Sequence, residues 1–302
     1  MATSVSLLTL PSSRIISHVL TPVPSKPKAP IVLLSNSLCA PLATWDHVVP
    51  KLTSEGFAVL RYDQPGHGAS SVPADLSSTT FDIIADDVRE LLNHLSISRV
   101  HAWIGVSMGA ATGIVFAAKY PNIIGKLVVC NTISCSPLKA GGPDIFEPMI
   151  EAARRTGSME ETAQTILERW FSLDWMSANP DETRRVRQIM LTTSIDGFET
   201  CCAALRSESF DLRPLAEKAG EGIDGALFIV GENDMDLPEH MLQLRDGVKR
   251  GLSKKDSMVS VGFEVIKNAG HVSYIDAHDQ FVTVITKFLQ QWDSRTSMSQ
   301  RH

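Results

Sequence analysis

Residues 100–119 constrain this chain more than any other stretch. An apolar run, Val100 to Ile104, enters Gly105-Val106-Ser107-Met108-Gly109, and an Ala-rich helical segment, Met108 to Lys119, leaves it. Gly-x-Ser-x-Gly between a strand and a helix is the context of a nucleophile elbow. The chain turns sharply there, and the serine at the apex takes up a strained backbone conformation. Glycines two residues to either side relieve the crowding. The expected product is an exposed hydroxyl at a helix N-terminus, where partial positive charge favours an oxyanion.

The rest of the chain supplies a frame for that elbow. Val5 to Leu10 and Ile15 to Leu20 read as early strands, and Pro22, Pro24, Pro27 and Pro30 mark a loop. Ile31 to Leu34 and Phe57 to Leu60 are short, continuously apolar runs, as strands covered on both faces should be. Ile83, Ile84, Val88, Leu91, Leu92 and Leu95 recur at helical spacing between Phe81 and Leu95, and Leu127 to Asn131 reads as a strand. Alternation of this kind is the signature of a parallel sheet wrapped by helices. The rhythm breaks after about Pro137. From there to about Leu212 the sequence reads as helices, clearest at Ile150 to Arg155, Glu160 to Phe171 and Asp181 to Leu191. Strands resume at Ala226 to Val230 and Phe263 to Ile266, and a helix around Phe281 to Trp292 closes the chain. The expected architecture is an α/β core of residues 1–136 and 213–302, with a helical cap, 137–212, inserted over the ligand-binding edge of a mostly parallel sheet.

A serine hydroxyl is protonated at neutral pH and needs a general base, which in turn needs an orienting carboxylate. In proteins with this elbow the acid and then the base follow the serine along the chain. Of the histidines after the cap, His240 comes too soon after the candidate acids, His278 sits near the start of the final helix, and His302 is terminal. His271, in Asn268-Ala269-Gly270-His271-Val272, follows a strand and is the expected base. In Gly231-Glu232-Asn233-Asp234-Met235-Asp236-Leu237-Pro238, Asp234 stands where the turn leaves the sheet and is the expected acid, with Asp236 its close competitor and Glu232 a weaker one. An oxyanion hole takes one backbone amide from the residue after the nucleophile and one from the loop after the Ile31 strand. Those are the amides of Met108 and Leu38. The glycines and His67 of Asp63-Gln64-Pro65-Gly66-His67-Gly68-Ala69-Ser70 read as a tight structural turn behind the site rather than a metal or phosphate site.

Composition excludes several other classes. The chain has 302 residues and a formal charge of −6, a poor match for coating phosphate backbones or anionic membranes. Lys249, Arg250, Lys254 and Lys255 form the one basic cluster and read as a solvated loop. No run approaches the ~20 apolar residues that cross a bilayer, and Pro11 interrupts Leu7, Leu8 and Leu10 before a secretory signal can form. Five cysteines without metal-ligand spacing (Cys39, Cys130, Cys135, Cys201, Cys202) read as buried thiols in a reducing compartment, so a cytoplasmic protein is expected.

With these segments in place, the chain resembles the α/β-hydrolase superfamily over nearly its whole length, and more narrowly the 3-oxoadipate enol-lactonases. The narrower likeness lies in Leu34-Ser35-Asn36-Ser37-Leu38 with Trp45, Leu60-Arg61-Tyr62-Asp63, Val129-Cys130-Asn131-Thr132, and Gly197-Phe198 leading to Cys201-Cys202-Ala203-Ala204-Leu205-Arg206. Cys39 and Ala110 depart from it, since the family usually has glycine at both positions. The resemblance implies nucleophile Ser107, acid Asp234 and base His271, in agreement with the residues themselves. It implies acyl transfer on a small-molecule ester or lactone through an acyl-enzyme, with no metal or cofactor. An enol-lactone carries a carboxylate, so a cation is expected in the pocket. Arg206 is the candidate, with a structural salt bridge as its other reading, while Trp170 and Trp175 belong to the cap as packing or ligand contacts. Two other readings keep the same residues: a triad enzyme acting on a C–C, thioester or peptide bond, or a small-molecule receptor that does not turn over. Dehalogenase and epoxide-hydrolase chemistry is disfavoured, because those relatives carry aspartate where Ser107 stands.

Overall fold

The structure, a computed structural model, describes residues 4–255 and 260–291. Eight strands form one sheet: β1 (Ser6–Thr9), β2 (Ile15–Thr21), β3 (Ile31–Ser35), β4 (Ala58–Tyr62), β5 (Val100–Val106), β6 (Ile124–Cys130), β7 (Gly225–Gly231) and β8 (Gly262–Ile266). Their spatial order is β1-β2-β4-β3-β5-β6-β7-β8, antiparallel across β1, β2 and β4 and parallel thereafter. The central strands are buried throughout, which is why β6 reads Ile-Gly-Lys-Leu-Val-Val-Cys with no alternation. Its Lys126 is accommodated by donating Nζ–H to the carbonyls of Phe288, Leu289 and Gln291.

The helices of the frame are α1 (Val48–Ser54), α2 (Phe81–His94) and α3 (Met108–Lys119). Helix α3 is buried on every side from Met108 to Ala118, wedged between the sheet and α2, and its Ala and Gly residues permit that close approach. Between β6 and β7 lie α4 (Glu147–Thr156), α5 (Glu160–Trp170), α6 (Leu173–Ala178), α7 (Pro180–Met190), α8 (Ile195–Arg206) and α9 (Ala216–Glu221). Only an isolated bridge, Cys135 to Asp211, gives this stretch any extended pairing among the described residues. The chain then continues through α10 (Leu237–Ser253), α11 (Ser273–Asp276) and α12 (His278–Gln290).

One sequence reading is corrected here. Lys249 and Arg250 belong to α10, not to a loop. Its buried residues Leu237, Met241, Leu244, Val248 and Leu252 recur at helical spacing, and the charged outer face obscured that stripe. Lys254, just past its end, pairs with Glu217 and Glu221 of α9, both at 2.6 Å. The final helix starts three residues before Phe281. Trp292 and His302 lie outside the described residues.

Strand β3 has β4 on one side and β5 on the other, so chain direction across the sheet reverses there. Loops leaving the C-terminal ends of β3 and β5 splay apart at such a switch point and leave a crevice between them. Leu38 follows β3 and Ser107 follows β5.

Candidate active site

The elbow is built by exclusion of side chains. Ser107 has φ 53° and ψ −115°, outside the regions L-residues normally occupy. A Cβ on Gly105 would stand 2.3 Å from the Gly109 carbonyl oxygen, and one on Gly109 would stand 2.2 Å from that of Ser35. The Ser107 amide donates to the Cys130 carbonyl at 2.8 Å, and its own carbonyl accepts from Ala110 and Ala111, both at 3.0 Å. The side chain stays half-buried between two buried neighbours, Val106 and Met108, at the N-terminus of the twelve-residue α3.

Asp234 and His271 come from the ends of β7 and β8 and meet. His271 Nδ1 lies 2.7 Å from Asp234 Oδ2, with both side chains buried. Asn131 Nδ2 donates to the same carboxylate oxygen at 2.7 Å. Burial alone would raise the Asp234 pKa. The His271 ring, the Asn131 donor and the Arg169 charge outweigh it and hold the carboxyl below its ordinary value. The competitors are engaged elsewhere. Asp236 is exposed and lies 3.2 Å from His240, while Glu232 braces the turn by accepting from Lys267 Nζ and the Asn268 amide. His278 Nδ1 sits 3.2 Å from the Tyr274 carbonyl.

The loop after β3 is pinned on three sides. Asn36 donates to the Tyr62 carbonyl at 2.7 Å and accepts from Trp45 Nε1 at 2.8 Å. The Cys39 amide donates to His67 Nε2 at 2.9 Å. His67 is fully buried, and burial pushes its pKa down to about 4. Its neutral ring donates from Nδ1 to the Pro65 carbonyl at 3.0 Å, leaving Nε2 as the acceptor. The Asp63–Ser70 turn therefore braces the loop that carries Leu38. Cys39 has φ 58°, in the left-handed region that glycine occupies without strain. Leu38 and Met108 are both buried at the crevice between β3 and β5.

The helices between β6 and β7 reach the site through α5. The Trp170 carbonyl accepts from the His271 amide at 3.1 Å, and the two rings lie 6.1 Å apart and nearly parallel. A Cβ on Gly270 would stand 2.0 Å from that carbonyl, so glycine is required beside His271. Trp175 stacks on Phe171 at 4.4 Å and borders a cleft of about 660 Å³ shared with His47, Tyr274 and His278. Arg206 Nε donates to Asp144 at 2.6 Å, and its guanidinium also pairs with Glu147. The sequence reading missed Arg169. It is exposed on the last turn of α5, next to Trp170, and has no ion-pair partner among the described residues. Its charge is the weakest of the influences that favour the ionised Asp234 carboxyl. Asn131 was also missed as a site residue, although its position within a strand-end motif was visible.

The family profile of the alpha/beta hydrolase fold matches residues 30–177. 3-Oxoadipate enol-lactonase 2 of Acinetobacter baylyi is 30% identical over 205 residues, covering 68% of this chain and 72% of that one. Enol-lactonase 1 of the same organism is 29% identical over 266 residues, covering 87% and 89%. The crystal structure of the enol-lactonase from Burkholderia xenovorans LB400 superposes with a TM-score of 0.80 at 28% identity, covering 95% of this chain and 100% of that one. With its sheet order, elbow and these likenesses together, the chain belongs to the alpha/beta hydrolase fold family. Within that family its general class is that of a hydrolase, and the relatives it resembles include enol-lactonases. No helix among the described residues is long and apolar enough to cross a membrane.

Proposed function

We propose that this protein is a serine hydrolase that opens a small-molecule ester or lactone through an acyl-enzyme. The observation that carries the reading is the buried Asp234–His271 pair at 2.7 Å, at the same sheet edge as the strained Ser107 elbow. His271 takes the Ser107 proton from its Nε2 side while the hydroxyl attacks the carbonyl, and Asp234 orients the ring through Nδ1–H. The Leu38 and Met108 amides receive the oxyanion, aided by the α3 N-terminus. The imidazolium gives that proton to the leaving oxygen as the C–O bond breaks, leaving the acyl group on Ser107. Water deprotonated by His271 then attacks the acyl carbonyl, releasing the acid and returning the proton to the serine oxygen.

Residues 137–212 act as the cap over this chemistry, and the Trp170 carbonyl on the His271 amide supports that reading. Arg169, next to Trp170 and unpaired among the described residues, is the candidate cation for a carboxylate-bearing substrate, and its electrostatic influence on Asp234 supports that reading. Five free, buried thiols fit a reducing compartment and a cytoplasmic enzyme. The test is turnover on a panel of lactones and esters, comparing the native protein with Ser107→Ala. Multiple turnovers that fall by about a thousandfold or more in the variant support the reading. A stoichiometric burst without turnover means a receptor, and unchanged activity in Ser107→Ala sinks the assignment.

A further inference from the structure

The C-terminal end of β6 contributes no member of the triad, yet it touches the loops that carry all three. The Cys130 carbonyl accepts the Ser107 amide at 2.8 Å. The next residue, Asn131, is fully buried and left-handed at φ 47°, and its own amide donates to Ile229 of β7 at 3.1 Å. Its side-chain Nδ2 donates to Asp234 Oδ2 at 2.7 Å and to the Gly270 carbonyl, beside His271, at 3.4 Å. Both of those partners are acceptors, so the amide orientation is set: turned over, Oδ1 would face a carboxylate and a carbonyl.

We propose that Asn131 is a positioning residue that aims the Asp234 carboxylate at His271. This rests on the reading of Ser107, His271 and Asp234 as a triad. The physical case is one of placement. Asp234 Oδ2 receives two hydrogen bonds, from His271 and Asn131, which fix the carboxylate plane relative to the imidazole. A carboxylate that could rotate would loosen the ring and the tautomer that the base needs. The left-handed backbone at Asn131 serves the same end, because asparagine tolerates φ > 0 better than other side chains that could donate there. The charged groups acting on Asp234 are His271 and Arg169, which favour its ionised form, and Asp276, which opposes it. Removing Asn131 shifts that balance toward a more basic carboxylate that holds a protonated His271 more strongly.

The experiment reads labelling of the purified full-length protein by a fluorophosphonate probe, as a second-order rate against pH, with the labelled residue located by mass spectrometry. Two variants are compared. Asn131→Gly deletes the donor and suits the left-handed backbone, whereas Asn131→Asp keeps the shape and replaces the donor by an acceptor. The expected result is labelling at Ser107, slowed about tenfold in Asn131→Gly and about a hundredfold in Asn131→Asp. The acidic limb of the rate profile moves to higher pH by on the order of one unit in both. A structural role alone would lower the folded fraction without moving that limb. Should both variants label at the native rate with the native pH profile, the positioning role is overturned while the triad reading stands. Should Ser107 of the native protein fail to label at all, both are overturned.

Discussion

Arg206 and Arg169 show how much one side chain's neighbours decide. Both are arginines at the C-terminal end of a helix, Arg169 on α5 and Arg206 on α8. Arg206 is held by two carboxylates, Asp144 and Glu147, whereas Arg169 acts on Asp234 and has no ion-pair partner among the described residues. Desolvating a guanidinium that is already paired gains little when a second anion arrives. Arg169→Gln is therefore expected to raise KM for carboxylate-bearing lactones about tenfold or more and to leave neutral esters of similar size nearly unchanged. Arg206→Gln should act on stability instead, by about 1 kcal/mol or less, because its pair is partly exposed. Steady-state kinetics on matched charged and neutral substrates separate the two. An equal loss on both substrates in Arg169→Gln would refute the role given to that arginine.

At the level of elements, the contact between the β4–α2 loop and α8 has a built-in control. Gly66 has φ 66° and Gly157, the C-cap of α4, has φ 65°, so alanine meets the same backbone strain at both. Their surroundings differ. A Cβ on Gly157 meets nothing within 4 Å, while one on Gly66 would lie 2.2 Å from Gly197 Cα and 2.6 Å from Val72 Cγ1. Gly157→Ala should cost about 1 kcal/mol, the left-handed penalty alone. Gly66→Ala should cost about 3 kcal/mol or more, because backbone cannot give way as a flexible side chain does. Urea denaturation midpoints of the two variants measure the difference. Equal midpoints would mean that α8 does not rest on this loop. The same loop braces the Leu38 segment through His67, so Gly66→Ala should also lower turnover beyond the loss of folded protein.

For the molecule as a whole, buried carboxylates shape how stability depends on pH. Asp276 accepts from the Gly270 amide at 2.7 Å, and burial together with the nearby Asp234 charge pushes its pKa up to about 6. A carboxyl whose folded pKa is raised binds more protons when folded than when unfolded. Its contribution is therefore lost as pH rises from its ordinary value, 3.8, through about 6. Asp276→Asn keeps an acceptor for Gly270 and removes the charge. It should stabilise the protein above pH 6 by on the order of 2 kcal/mol and have little effect near pH 4. Thermal unfolding across that range tests it, and a stabilisation that does not vary with pH would be inconsistent with this origin.

Local patterns were enough for most of the frame. The run of apolar residues in β3 to β7, the helical stripe of α2 and the glycines around Ser107 each report burial or steric need within a few residues. Chain order then placed Asp234 and His271 after the serine, and the two stand 2.7 Å apart. The stripe of α10 was equally present but lay beneath a charged face. Sequence by itself thus determined the fold class, the elbow and the order of the candidate triad, because those rest on local sterics and periodicity. Only the tertiary structure decided that Arg206 is neutralised, that Trp170 holds the His271 amide and that Asn131 reaches Asp234 across 103 positions of chain. Such pairings depend on which side chains the sheet order and the helices carry to one place, and no window of neighbouring residues contains that information.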